Sequence, residues 1–307
     1  MRKYRFIIIA LCFFVLFFCL GQQGCEMPGF DKTEARKYGL DYSLISGVDY
    51  LSGGKVIQQG ETFYVGIHIE NYDSIPRTGE VCISDNVADT YGGISSQGSG
   101  ECKSFYVSAA DVVRKETTGI TGKRIVEQVN PGKTDVYFPV AGMYSYYGLP
   151  SSAQPWKQVL YVSVRYLETS RVTGTVTVPY PSQEQISLVQ EPSPIFVSAT
   201  KSIHRFSNGY KVDLAISLQK KQPVKIYYDG QENVTYFAAR LEPQILQCFL
   251  TSGQPVTDKI IIENERLIKC SSLVYLSGEA QQAYPLVITL NYGVSIDKQY
   301  SFGIRTQ

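Results

Sequence analysis

The chain has two histidines, one tryptophan and three methionines among 307 residues. Each scarcity excludes something. His68 and His204 stand in unrelated contexts, so a Ser–His–Asp or Cys–His relay has little to be built from. No Cys-x-x-Cys pair occurs, which leaves a zinc site without a scaffold. No glycine-rich phosphate loop of specific form is present. Charge imbalance is missing too: 29 basic and 28 acidic side chains leave a net charge of +1. That supplies no basic face for nucleic acid. The 3.6-residue period of amphipathic helices is nearly absent beyond residue 41. These lacks argue against an enzyme, and no cofactor or nucleic-acid partner is implied.

What is present favours strands. The chain carries 23 Tyr and 14 Phe with many Val, Ile and Thr. Such residues fit a pleated, half-buried surface. An apolar content of 44% allows a sizeable core, and the length suits one large or two ordinary domains.

The first residues read as a targeting leader over 1–25. Met1-Arg-Lys-Tyr-Arg5 is positive, and Phe6 to Leu20 is apolar apart from Cys12 and Cys19. Fifteen helical residues span roughly 22 Å, short of the ~20 residues a spanning helix needs. Cys25 is the lipid-anchor candidate, with the small Gly24 before it. Gln22 stands where a lipoprotein signal wants an aliphatic residue, and Leu20 lies two positions too early. An ordinary signal peptidase would accept Cys19 and Gly21 and cut before Gln22. The leader is therefore cleaved, lipidated at Cys25, or retained as an anchor helix. Residues 26–41 read as a polar tether.

An exported chain meets an oxidising compartment, so Cys82, Cys102, Cys248 and Cys270 are expected to pair. Cys82–Cys102 and Cys248–Cys270 are favoured, because each closes a short loop inside one expected domain. A loop of about 20 residues gives roughly 3 kcal/mol in the chain-entropy model.

Phe63, Val65, Ile67 and Ile69 alternate, as in a half-buried strand, and 80–84 is its expected antiparallel partner. Residues 159–166 and 172–178 read as a closing hairpin of the first half, and 286–292 with 298–304 as that of the second. Gln190-Glu-Pro-Ser-Pro-Ile195 is stiff and marks a boundary. The expected organisation is all-β, with two tandem immunoglobulin-like sandwiches at 42–189 and 195–307 joined by a linker at 190–194. The first is long for that fold. The excess is placed at about 103–157, with a short helix over 108–115.

Pro131-Gly-Lys-Thr-Asp-Val-Tyr-Phe-Pro139, the early strand at 60–71 and the final stretch 291–304 resemble immunoglobulin-like repeats of archaeal and bacterial surface proteins. These are the CARDB-type and S-layer-associated domains. The resemblance implies an adhesion, scaffold or envelope role and carries no catalytic residues.

Three surfaces remain as site candidates. Met143 to Trp156 holds Tyr144, Tyr146, Tyr147 and the single Trp156, a Tyr/Ser/Gly composition suited to recognition. Exposed, these rings would stack on glycans or anchor a partner; packed, they would cap the sandwich. Asp85, Asn86 and Asp89 offer three oxygens in one loop, a weak calcium candidate that also satisfies turn chemistry. Asn233-Val-Thr235 is the one glycosylation sequon. The expected function is that of an exported, envelope-attached, non-catalytic binding or structural protein at the cell surface. It would be held to the membrane by the helix or a lipid, and would meet other envelope proteins or glycans. The alternatives are a carbohydrate-binding module using 143–156 and an accessory subunit of a surface hydrolase.

Overall fold

Two strands dominate the computed structural model. Trp156–Val178 has 23 residues and Gln282–Arg305 has 24. They pair antiparallel along their whole length, from Trp156 opposite Ile304 to Val178 opposite Gln282. At about 3.3 Å per residue this ladder runs roughly 75 Å. The structure describes residues 39–306 except 48–49, 95–99, 120–121, 179–183, 207–208, 222–223 and 276–280. The leader, Cys25 and most of the tether fall outside the described residues. Residues Tyr38–Gln307 form one unit.

The fold is all-β. Apart from a three-residue 3₁₀ turn at Asp89–Tyr91, every regular element among the described residues is a strand. The stretch expected to be a helix at 108–115 instead enters the strand Asp111–Gly119, which pairs with Gly122–Asn130 as a separate two-stranded ribbon. Val112 and Val113 are β-branched, and such residues lose rotamer freedom in a helix.

The two expected closing hairpins are not hairpins. Residues 159–166 and 172–178 belong to one uninterrupted strand, as do 286–292 and 298–304, and the two strands pair with each other. Even-numbered residues of the first strand face inward without a break: Leu160, Val162, Val164, Tyr166, Glu168, Ser170 and Val172 are buried. Glu168 and Ser170 look like turn residues, yet they keep the period of two.

At one end of the ladder, Arg77–Asp85 pairs with Leu160–Tyr166, and Glu101–Val107 pairs with Arg77–Asp85. A second sheet of Leu40–Leu44, Val65–Asn71 and Gly132–Phe138 covers them. Its Tyr42 hydroxyl donates to Val162 O across the core (2.7 Å). At the other end, Val234–Leu241 pairs with Gln282–Arg305, and Leu188–Gln190 pairs with Val172–Gly174. Facing them is a five-stranded sheet built on Ile195–Phe206, Gly209–Lys220 and Glu265–Val274. The residues 190–194 connect strands, but the sheets do not divide there. The end of the expected second domain, Gly293–Arg305, is hydrogen-bonded within the sheet of the expected first.

Cys82 bonds to Cys102 and Cys248 to Cys270, each pair directly opposed on neighbouring strands. Cys248 and Cys270 lie in the core, whereas Cys82 is half-buried and Cys102 exposed.

Candidate functional site

The aromatic segment splits by parity. Tyr144–Ser145 is a short strand against Thr62–Phe63, and Tyr146 bridges to Gly92. Alternation sends Tyr144 and Tyr146 inward and Tyr147 outward. Tyr146 is fully buried, stacked against Phe63 (5.4 Å between centroids) and Phe302 (6.0 Å). Tyr144 also lies on Phe63, and its hydroxyl donates to Glu101. Only Tyr147 and Trp156 stay exposed, so the expected four-ring recognition loop is reduced to two. The indole N–H of Trp156 donates to Pro150 O (3.2 Å).

Asp85 and Asn86, two of the three calcium candidates, are engaged by the chain itself. Asp85 is buried and accepts from Val87 N–H (2.9 Å), Ile94 N–H (3.2 Å) and the Tyr146 hydroxyl. Asn86 Oδ1 accepts from Val159 N–H (2.8 Å). Asp89 sits exposed in the 3₁₀ turn. The Asp85 carboxylate holds a turn shut rather than opening toward a cation. Burial pushes its pKa up to about 6, against the three hydrogen bonds it accepts. Gly93 belongs to the same knot: its φ is +83°, and a Cβ there would lie 1.9 Å from the Tyr146 ring.

The histidines lie on open sheet faces. His68 Nδ1 is 2.6 Å from Asp135, and its Nε2 is 3.7 Å from Glu70. Ser43 stands opposite His68 in register, but no hydrogen bond joins them among the described residues. His204 touches Ser202 (3.1 Å) and Asp213 (3.8 Å) through the same Nε2 atom, so no proton can be relayed across its ring. Glu80 clusters with Cys82 and Cys102, but the two sulfurs are bonded to each other and offer no thiolate to a metal. Asn233 lies at a φ of +61° with its side-chain oxygen held by Lys220 (2.6 Å), and Thr235 is fully buried.

Two arrangements lay beyond sequence reasoning. Midway along the ladder, buried Arg77 joins Glu168 (2.7 Å) and Asp73 (2.7 Å). Burial raises the Glu168 pKa to about 7 despite the Arg77 charge. Asp73 also accepts from Gly39 N–H (2.9 Å), so the first described residue is tied to this triad. The triad has no local sequence signature, because its members come from three strands or turns. The second arrangement is the solvent face around Arg165. There Ser104, Glu80, Arg165, Ser295 and Lys225 stand side by side on five neighbouring strands, Ser295 buried and the others exposed.

No family model matches the chain, and no curated protein matches it.

Proposed function

We propose that this chain is an exported, envelope-attached binding or structural protein, with two immunoglobulin-like sandwiches that share a pair of long strands. The observation that carries the reading is the pair of cross-strand disulfides in an all-β fold behind an apolar leader. Disulfides of this kind persist where thiols are oxidised, outside the cytoplasm. The likeness to CARDB-type surface repeats points the same way. Membrane attachment rests on Met1–Leu20 and Cys25, since among the described residues no helix is long and apolar enough to cross a membrane. The non-catalytic half of the reading is supported by His68 and His204. Each is engaged by carboxylates on an open sheet face rather than set in a cleft.

The test is fractionation of expressing cells with an intact mass of the mature chain. The reading expects an envelope fraction, two oxidised cysteine pairs, and a mass fixing cleavage and any lipid on Cys25. A cytoplasmic fraction with reduced cysteines would refute it.

Glycan binding is a second reading. Tyr147 and Trp156 remain exposed, 59% and 36%, and keep it open at the 143–156 segment. The sheet face around Arg165 favours it more strongly.

A further inference from the structure

On the solvent face of the Arg165 sheet, paired and unpaired cations stand close together. The cations of Lys201, Lys211, Lys225, Lys259 and Lys298 are each within 3.0 Å of a carboxylate. Arg165 makes no side-chain hydrogen bond or ion pair among the described residues. Its register neighbour Glu80 turns along its own strand toward Cys82 Sγ (3.7 Å) instead. On the other side a hydrogen-bonded chain fixes the floor. Lys225 holds Asp297 (2.9 Å), Ser295 donates to Asp297 (2.9 Å), and Ser163 meets Ser295 (3.1 Å). A groove of about 550 Å³ runs over Arg165, Ser163, Asp297 and Tyr161.

An aromatic ring lies near the groove, one register row from Arg165 and two strands away. Gly293 lies next to Tyr227 in register, and a Cβ on Gly293 would be 2.1 Å from Tyr227 Cζ. The ring therefore lies down across the glycine and is half-buried there. Tyr161, 40% exposed, stands two rows beyond Arg165 on the same side of its strand. The strand under the groove is hydrogen-bonded on both edges, to Arg77–Asp85 and to Gln282–Arg305. No peptide can add to it as a further strand. A flat ring, fixed hydroxyls and an unpaired guanidinium are the groups that stack on a sugar, bond its hydroxyls and fork a carboxylate.

We propose that this face binds a carboxylate-bearing glycan, with Arg165 pairing a uronate carboxylate, Tyr227 stacking on a sugar ring, and Ser163 and Asp297 receiving its hydroxyls. The proposal rests on the reading of the chain as an exported binding protein. Failure of that reading shows in fractionation, and failure of this one shows only in titration.

The experiment titrates the full-length chain in mild detergent with trisaccharides of galacturonate, glucuronate and mannuronate, by calorimetry. Galactotriose and a hexaglutamate peptide serve as controls. At least one uronate is expected to bind about tenfold or more tighter than galactotriose, and to weaken with added salt. Arg165→Ala should lose about tenfold to a hundredfold of that affinity at unchanged Tm, and Arg165→Lys should recover only part. Three outcomes overturn the proposal. These are no uronate binding up to about 10 mM, Arg165→Ala binding as wild type does, and hexaglutamate binding as tightly as the best uronate.

Discussion

The Arg77 triad makes a sharp test of the energetics at the middle of the ladder. Arg77 is 6% exposed and bonds two carboxylates, Asp73 and Glu168, of which Glu168 is also 6% exposed. Replacing it by Met keeps much of the volume and strands both acids. Breaking a buried pair from one side costs about 3–5 kcal/mol, because an uncompensated charge stays inside. The pH dependence has a definite sign. The folded-state pKa of Glu168 is about 7, above the ~4.3 of an unfolded chain. The folded protein thus holds a proton that the unfolded chain has released, and this group's contribution to stability falls as pH rises between those values. The fall amounts to roughly 3.5–4 kcal/mol over that window.

It follows that Arg77→Met should destabilise more at pH 8, where Glu168 is charged, than at pH 5, where it is protonated in the fold. The difference should be about 1–2 kcal/mol. The double variant Arg77→Met, Glu168→Met should regain most of the loss at pH 8, since the two residues are in contact and do not act additively. Urea unfolding at both pH values, followed by far-UV circular dichroism, measures all of this. A single-variant cost below about 1 kcal/mol, or the same cost at both pH values, would refute the reasoning.

The disulfides should differ in access: a mild reductant should open Cys82–Cys102 first, while Cys248–Cys270, 7% and 2% exposed, stays closed until denaturant is added. Alkylation followed by peptide mass mapping reads the order, and equal rates would show that burial does not protect the inner bond. Tyr146→Ala should cost about 3–5 kcal/mol, while Tyr147→Ala next to it should stay within about 0.5 kcal/mol. Similar thermal shifts for the two would contradict the parity assignment. Gly93→Ala should lower Tm clearly, because both the φ and the Tyr146 ring exclude a Cβ; an unchanged Tm would mean the ring moves aside freely.

How much of this could be read from the chain depends on which residues carry the signal. Phe63, Val65, Ile67 and Ile69 announce a strand by alternation alone, and all four are buried. Loop length pointed to the two cysteine pairs that the fold closes. The same alternation in Tyr144-Ser-Tyr-Tyr147 separates inner from outer rings, although composition suggests a loop. The long strands were hidden because Glu168 and Ser170 break the apolar pattern exactly where long-range partners satisfy them. Glu168 meets Arg77, and the Ser170 hydroxyl accepts a long hydrogen bond from Gln190 (3.5 Å). Polar residues at inward positions read as turns unless their partners are known, and those partners lie 91 and 20 residues away in sequence. Arg165 was silent for a related reason. An unpaired cation is defined by what its neighbours fail to do, and only strand register reveals those neighbours.

The shared strands also decide what the 190–194 segment is. Were it a linker between two self-contained sandwiches, cutting it would release two particles. In the fold, Trp156–Val178 lies before the segment and Gln282–Arg305 after it, and all 23 residues of the first strand face the second. Each disulfide falls on one side of the cut, Cys82–Cys102 before it and Cys248–Cys270 after, so no covalent bond would hold the halves together. Only the ladder and the core on either side of it could. A protease site inserted between Glu191 and Pro192 should therefore yield two fragments that co-elute in native size exclusion and part only in denaturant. The C-terminal fragment would still be completing the sheet that Arg77–Asp85 extends. Fragments that separate in native buffer would mean that the ladder between residues 156 and 178 does not hold the two halves as one body.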